Sequence, residues 1–514
     1  MSNRSARIFT LLLAIFGTIA IGPGAHARAQ ESADTLPEGI QPGEIADRVQ
    51  SLHDPEQAFA VYLPSTYTAE RSWPVLFLMD PRGRARVPLE QFRAAAERLG
   101  YVLVSSYNTA SDVAEDVNTL ALEAMLNDST RMFALDNRRF YLGGFSGTAR
   151  TVWEFAGQLE ESVAGIIGFG GGLPGTYLPP DEAPYGFYGA AGNTDFNYEE
   201  MRALDRRLDD GSLAHRFEYF VGGHSWGPEE VCSRALEWME LRAMKTGLRA
   251  ADTSLAADLY TRRVYEALAW ETLPATAPPS RDGAPDPVSG SDDPVVDQRA
   301  IVKYEAWLRY SALLVDFDAV IGRSELDRIA QRIRALEELD GVATAIAFAD
   351  RLSARHRAFV QELSTVIQEI REVDRQINAL ELIHYLDLEA IKRQAADLGN
   401  PMRALGGQRL IESVFVQFAF YQPRDFLARG DPEAVLELLR VADFIRPSTF
   451  SVLLHRARAH ALHEDVGQAV EALRGALTIR DLDPSVLDDD PYFDSIRQTP
   501  EFRELIGQLR TSTQ

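Results

Sequence analysis

The pattern of apolar and polar residues divides the chain into two parts. Residues 58–250 alternate short apolar runs with stretches of helical spacing. The runs of strand length are Ala58–Leu63, Pro74–Met79, Tyr101–Ser106, Arg139–Gly143, Val163–Phe169, Tyr185–Ala191 and Phe217–Val221. The helical stretches include Pro88–Leu99, Thr148–Leu159, Tyr198–Leu208 and Glu229–Thr246. Strands that alternate with helices of this length predict an α/β fold, a mostly parallel sheet doubly wound by helices.

Beyond this α/β part the sequence is almost entirely helical. Leu273–Pro294 contains six prolines among glycine, serine and aspartate, a composition typical of a linker. The predicted order is a signal peptide (1–29), a lead-in (30–57), an α/β domain (58–250), a connecting helix (251–272), a linker (273–297), a helical region (298–406) and an all-α repeat region with a capping helix (407–514).

The last hundred residues contain an internal repeat. Gly430–Pro447 aligns with Glu464–Asp481 at an offset of 34 residues. The identical pairs are Asp431/Asp465, Glu437/Glu471, Leu439/Leu473, Arg440/Arg474, Ala442/Ala476, Ile445/Ile479 and Arg446/Arg480. This period is typical of helix–turn–helix solenoids, and the region resembles the tetratricopeptide family. The resemblance implies a surface for a protein partner. A generic helical bundle is the alternative.

The first 29 residues have the features of an export signal. Arg4 and Arg7 precede the apolar stretch Ile8–Ile21, and two A-x-A patterns end at Ala27 and Ala29. We therefore expect a periplasmic or extracellular protein with no transmembrane segment after cleavage. An uncleaved N-terminal anchor is the alternative.

The net charge and the cysteine content limit the functions and cross-links that the protein can have. The formal net charge of −24 repels phosphate backbones, which argues against nucleic-acid binding. Cys232 is the only cysteine, so no intramolecular disulfide can form. The sequence contains no phosphate loop and no zinc-binding motif, so we predict neither a cofactor nor a metal.

Ser146 follows the predicted strand Arg139–Gly143, and a helix comes next. A serine at a sharp strand-to-helix turn can act as an exposed nucleophile. Gly144 stands two residues before it, but Thr148 occupies the position where a second glycine is expected. A serine also needs a base and an acid that orients the base.

Two later strand ends supply candidates for these roles. His224 lies in a glycine-rich turn after Phe217–Val221, and Asp195 follows Tyr185–Ala191. His215 begins its strand and is at the wrong end. The alternatives are a structural histidine at 224 and, for Asp195, an N-cap of the next helix.

With these three residues, positions 55–245 resemble the α/β-hydrolase superfamily, in particular secreted esterases of the dienelactone-hydrolase and polyhydroxybutyrate-depolymerase type. The resemblance implies a small ester substrate, an acyl-enzyme at Ser146, and backbone oxyanion donors. We assign the donors to Gly147 and, in the loop after Pro74–Met79, to Arg82, because Pro81 has no N–H.

Substrate-binding candidates are Arg82, Arg84 and Tyr107. Arg82, Arg84 and Arg86 fall within one stretch of five residues, although the protein is acidic overall. One of them could bind a substrate carboxylate. A solvated loop paired with nearby carboxylates is the alternative. For the whole protein, the alternative function is an inactive α/β scaffold whose helical repeats bind a partner.

Overall fold

The computed structural model describes residues 36–113, 116–159, 162–175, 177, 179–180, 182–274, 293–372 and 377–512. The predicted signal peptide and most of the predicted linker lie outside these ranges, so both stay predictions. The chain divides into two compact units. One contains residues up to 277 together with 297–345, and the other contains 278–296 and 346–514.

The first unit is built on an eight-stranded sheet with the order β1-β2-β4-β3-β5-β6-β7-β8. The strands are β1 (Ile45–Gln50), β2 (Ala58–Tyr62), β3 (Trp73–Met79), β4 (Val102–Ser106), β5 (Leu135–Phe145), β6 (Val163–Phe169), β7 (Gly186–Gly192) and β8 (His215–Phe220). From β4 to β8 all neighbours are parallel, whereas β1 and β2 pair antiparallel. The predicted fold class is confirmed.

Strand β1 lies inside the segment predicted as a lead-in. Its sequence is Ile-Ala-Asp-Arg-Val-Gln, and it is only partly buried. A charged edge strand with one weak apolar face lacks the continuous apolar run that marks the buried strands. The lead-in therefore contributes the edge of the sheet.

Five helices cover the two faces of the sheet. They are α1 (Arg86–Leu99), α2 (Val117–Met132), α3 (Gly147–Leu159), α4 (Tyr198–Asp209) and α5 (Glu229–Lys245). Residues of α2, α3 and α4 share one apolar core with the sheet, and residues of α1 and α5 share the other. Strands β3 and β6 are buried along their whole length between these cores.

Three more helices belong to the first unit: α6 (Thr253–Thr272), α7 (Gln298–Phe317) and α8 (Arg323–Glu337). Leu259 of α6, Leu313 of α7 and Ile329 of α8 form an apolar cluster that also includes Leu241 of α5. The predicted connecting helix is therefore packed on the α/β part through side chains of its own.

Every regular element among the described residues of the second unit is a helix. Its helices are α9 (Asp340–Glu372, which begins in the first unit), α10 (Ala379–Tyr385), α11 (Leu388–Ala395), α12 (Pro401–Val416), α13 (Gln422–Arg429), α14 (Pro432–Ile445), α15 (Phe450–Leu462), α16 (Val466–Ile479), α17 (Pro484–Asp488) and α18 (Pro500–Ser512), with a π-helical turn at Gln417–Tyr421 and a 3₁₀ turn at Pro491–Phe493. In the part of the chain that the structure describes, no helix has both the length and the apolar character needed to cross a bilayer.

The two sequence repeats fall on equivalent helices. Asp431 and Asp465 cap α14 and α16 through their side chains. Leu439 and Leu473 are fully buried, and so are Ala442 and Ala476. The repeated identities thus include both caps and core positions. The resemblance to tetratricopeptide repeats itself stays a prediction.

Candidate active site

Three loops at one edge of the sheet carry the predicted catalytic side chains. Ser146 directly follows β5, Asp195 follows β7 and His224 follows β8. These strands are parallel, so their carboxyl ends meet at the same edge. The structure brings the three side chains into one hydrogen-bonded chain.

The backbone at Ser146 is in a left-handed conformation, with φ of 56°. Its N–H donates to Phe169 O at 2.8 Å, which holds the residue at the end of the sheet. A side chain on Gly144 would place its Cβ 2.4 Å from Thr148 O, and one on Gly171 would lie 2.3 Å from Ser146 O. The turn is therefore tight at Gly144 and Gly171, where a side chain would clash with the backbone.

Thr148 is accommodated through its hydroxyl, although its position departs from the expected glycine. The side chain is fully buried, and Oγ1 lies 2.6 Å from Met79 O and 2.8 Å from Phe145 O. The hydroxyl also accepts from the N–H of Phe145 at 3.1 Å. Thr148 thus links the first turn of α3 to the ends of β3 and β5, and it leaves the serine turn intact.

His224 lies between the serine and the aspartate. Its Nε2 is 2.8 Å from Ser146 Oγ, and its Nδ1 is 2.9 and 3.0 Å from the two Asp195 carboxylate oxygens. A carboxylate only accepts, so Nδ1 carries the proton and donates it to Asp195. Nε2 then has the lone pair that can accept the Ser146 proton.

Aromatic rings hold the imidazole on two sides. The ring centroid of His224 is 4.6 Å from that of Phe145 and 4.2 Å from that of Phe196. Gly170, with φ of 53°, lies against Asp195 and His224. A Cβ at this position would be 2.7 Å from Asp195 Oδ2. The sequence pattern gave no signal for Phe196 or Gly170, because both act through contacts between separate loops.

Asp195 is buried, and the loops around it are tied together. Oδ1 also accepts from the N–H of Asn197 at 2.8 Å. The N–H and hydroxyl of Thr194 both donate to Gly222 O, and the N–H of Asn193 donates to Phe220 O at 2.7 Å. The loop that carries Asp195 is therefore fixed to the loop that carries His224.

The two predicted oxyanion donors have different surroundings. Gly147 is the first residue of α3, and the amides of a first helical turn have no partner inside the helix. A Cβ on Gly147 would lie 2.3 Å from Ser111 Cβ, so the position requires glycine. The Arg82 N–H donates to Asp80 Oδ1 at 2.9 Å. Arg82 can serve an oxyanion only by giving up this bond.

Two of the predicted substrate-binding residues, Arg84 and Tyr107, are bonded to carboxylates of the protein. Arg84 Nη2 lies 2.8 Å from Asp80 Oδ2. The Tyr107 hydroxyl donates to Asp47 on β1 at 2.9 Å, and burial together with this contact raises the pKa of Tyr107 to about 12. Arg86 pairs with Glu90 and Asp47. The Arg82 side chain is exposed.

A second polar group lies at the opposite edge of the sheet, where β8 begins. Ligand atoms of Asp205, Asp209 and His215 lie within 4.8 Å of one another. Burial and the charge of Asp209 raise the pKa of Asp205, whereas the nearby cations Arg202 and Arg216 act in the opposite direction. The pKa of Asp205 stays raised, so these cations do not offset the effects of burial and of Asp209.

No protein family model and no curated protein matches this sequence. The first unit has an α/β fold, with a mostly parallel eight-stranded sheet. Similar solved structures include a ferulic acid esterase (13% identity, TM-score 0.30, covering 38% of this chain and 96% of the other). Others are an S-formylglutathione hydrolase from Staphylococcus aureus (15%, 0.31, 40% and 99%) and a fluorophosphonate-binding serine hydrolase from the same organism (16%, 0.32, 38% and 98%).

Proposed function

We propose that the protein is a serine hydrolase that cleaves small carboxylic esters through an acyl-enzyme on Ser146. The observation that carries the proposal is the pair of contacts made by His224, to Ser146 Oγ at 2.8 Å and to the buried Asp195 carboxylate at 2.9 Å. A base that is in contact with the nucleophile and oriented by a buried acid can activate a serine at neutral pH.

In the acylation step Ser146 Oγ attacks the ester carbonyl while His224 Nε2 takes its proton. The imidazolium that forms keeps its Nδ1–H on Asp195, whose negative charge stabilises it. The carbonyl oxygen becomes an oxyanion and accepts from the Gly147 N–H at the start of α3. The proton on Nε2 then passes to the leaving alkoxide, which departs as an alcohol.

In the deacylation step water takes the place of the alcohol. His224 Nε2 removes a proton from the water, and the resulting hydroxide attacks the acyl carbon. The same proton returns to Ser146 Oγ as the C–O bond to the serine breaks, and the carboxylic acid leaves. The site needs no cofactor for either step.

The two-step course can be tested with an activated nitrophenyl ester. When the acyl-enzyme breaks down more slowly than it forms, nitrophenol appears in a burst whose size equals the enzyme concentration. We expect such a burst from wild type and none from Ser146→Ala. A folded wild-type protein that releases no nitrophenol from any short acyl ester would contradict the proposal and favour the inactive scaffold.

A further inference from the structure

Asp80 is a buried carboxylate outside the triad, and five donors surround it. Oδ1 accepts from the N–H of Arg82, the N–H of Arg84 and Arg84 Nε, at 2.9, 3.3 and 3.0 Å. Oδ2 accepts from Arg84 Nη2 at 2.8 Å and from Trp226 Nε1 at 2.9 Å. A fully buried anion is stable only when its oxygens are satisfied in this way.

One of these donors belongs to the loop of the catalytic base. Trp226 stands two residues after His224, and its ring packs on Phe145 and Phe169 with centroid distances of 5.8 and 5.4 Å. Phe145 in turn touches the His224 ring at 4.6 Å. The Asp80–Trp226 bond therefore fixes the far side of the histidine loop, opposite the bonds that Asn193 and Thr194 make to it.

The end of β3 is also bonded to the helix that follows the nucleophile. The carbonyl oxygen of Met79, the residue before Asp80, accepts from the Thr148 hydroxyl in the first turn of α3. The carbonyl of Asp80 accepts from the Thr109 hydroxyl at 2.8 Å and from the N–H of Gly83 at 3.1 Å. Two consecutive residues thus join the serine turn, the histidine loop and the loop predicted to face the oxyanion.

From this arrangement we propose that Asp80 is a positioning residue for the hydrolytic site, acting through Trp226 on His224. The proposal rests on the proposed function for its catalytic meaning, but the placement of the imidazole is a property that can be measured without any reaction. The carboxylate accepts the loop amides and the indole N–H together, which a neutral side chain of this size cannot do.

The test removes the indole N–H and keeps an aromatic ring. Trp226→Phe leaves Asp80 charged and bonded to Arg84, and Trp153→Phe is the matched control. Trp153 is also buried in the same domain, and its Nε1 has no hydrogen-bond partner among the described residues. Both variants lose the same volume, but only Trp226→Phe breaks a bond to Asp80. Asp80→Asn tests the same bond from the other side.

Two readouts are compared across these variants. The first is the nitrogen NMR signals of His224 in histidine-labelled protein, assigned with His224→Gln. The second is kcat and KM for the hydrolysis of a nitrophenyl ester. We expect Trp226→Phe and Asp80→Asn to shift the His224 signals and to lower kcat about 10- to 100-fold with KM little changed. Trp153→Phe should do neither.

The outcomes separate this inference from the proposed function. Unchanged His224 signals in Trp226→Phe would overturn the positioning role, whether or not activity falls. Shifted signals in a protein whose wild type hydrolyses no ester would leave the positioning role standing and reject the proposed function. An equal loss in Trp153→Phe would also overturn the inference, because it would reduce the effect to packing.

Discussion

At the scale of single residues, the tautomer of His224 is the feature on which the proposed chemistry depends. Asp195 accepts from Nδ1 through both carboxylate oxygens, so the lone pair is on Nε2, 2.8 Å from Ser146. Asp195 is buried and cannot be replaced by solvent in this role. The position of the Asp195 carboxylate thus determines whether His224 can act as the base for Ser146.

Asp195→Asn should therefore remove activity without unfolding the protein. The amide can donate to Nδ1, which favours the tautomer with the proton on Nε2 and leaves no base for Ser146. We expect kcat for a nitrophenyl ester to fall about 10³- to 10⁴-fold. Circular dichroism and the melting temperature serve as controls for folding. Activity within threefold of wild type would exclude Asp195 as the orienting acid.

A glycine pair offers a second residue-scale prediction. Gly170 and Gly175 both have positive φ, 53° and 48°, so an alanine at either position costs about 1–2 kcal/mol of backbone strain. Only at Gly170 does the new Cβ meet the triad, 2.7 Å from Asp195 Oδ2, whereas nothing lies within 4 Å at Gly175. Gly170→Ala should lose most of its kcat, and Gly175→Ala should keep it. Equal activity in the two variants, measured at matched stability, would contradict this view of the site.

The sequence predicts the triad residues and misses the contacts that hold them. Ser146, Asp195 and His224 were predicted because each follows a strand and belongs to a residue type with known chemistry. The bond between Asp80 and Trp226 joins residues 146 positions apart, and no local pattern indicates it. In the sequence, Thr148 is only a departure from the expected glycine. Its hydrogen bonds to the carbonyl oxygens of Met79 and Phe145 become apparent only in the structure.

At the scale of elements, helix α5 carries two buried glutamates that bind other elements of the first unit. Glu240 accepts from Tyr101 and pairs with Arg139 and Arg249. Glu237, one turn earlier, pairs with Arg98 of α1 and with both Arg262 and Arg263 of α6. Burial raises the pKa of Glu237, but the charges of the arginines outweigh it and the pKa is lowered.

Breaking the contacts of Glu237 should destabilise the first unit. Glu237→Gln leaves three arginines facing a neutral group, and we expect a loss of about 3 kcal/mol in the free energy of unfolding. The control is Asp327→Asn, which removes an ion pair with Arg323 whose side chains are 86% and 60% exposed. That change should cost less than about 0.5 kcal/mol. Calorimetry measures the free energy of unfolding of both variants. An equal loss of stability in the two would contradict a stabilising role for the buried Glu237 of α5.

Strands and helices differ in how far the sequence determines them. β3 and β6 are buried on both faces, and their unbroken apolar runs predict them directly. β1 carries Asp47 and Arg48 on an edge and depends on its pairing with β2, which a local pattern does not contain. The packing of α6–α8 on α5 was missed for the same reason, since helical spacing shows which residues are apolar but not what they cover.

At the scale of the whole molecule, the chain divides into two compact units, and the second contains two buried histidines whose pKa values are lowered. In the second unit, His356 on α9 is buried near Arg409 of α12. Burial and the charges of Arg409 and Arg357 lower its pKa from 6.5 to about 4. His455 on α15 behaves similarly, with a pKa lowered to about 3 by burial and by Arg458 and Arg424.

These histidines should make the second unit less stable in acid. Below pH 6.5 the histidine of the unfolded chain is protonated, whereas His356 in the folded protein is protonated only near pH 4. The folded state therefore loses stability as the pH is lowered through this range. Between pH 7 and pH 5 we expect a loss of about 2 kcal/mol from this group. His356→Gln should remove that part of the pH dependence in calorimetric scans. A variant that stays as acid-sensitive as wild type would contradict a neutral, buried His356.

The most direct test of the whole account is covalent labelling of the nucleophile. A fluorophosphonate reacts with a serine only when a base removes its proton, so the label reports the complete triad. We expect stoichiometric labelling of the wild type, with the adduct on the peptide that contains Ser146 by mass spectrometry. Ser146→Ala should not label, and His224→Gln should label far more slowly. A folded wild type that stays unlabelled, or one labelled at another residue, would contradict the account.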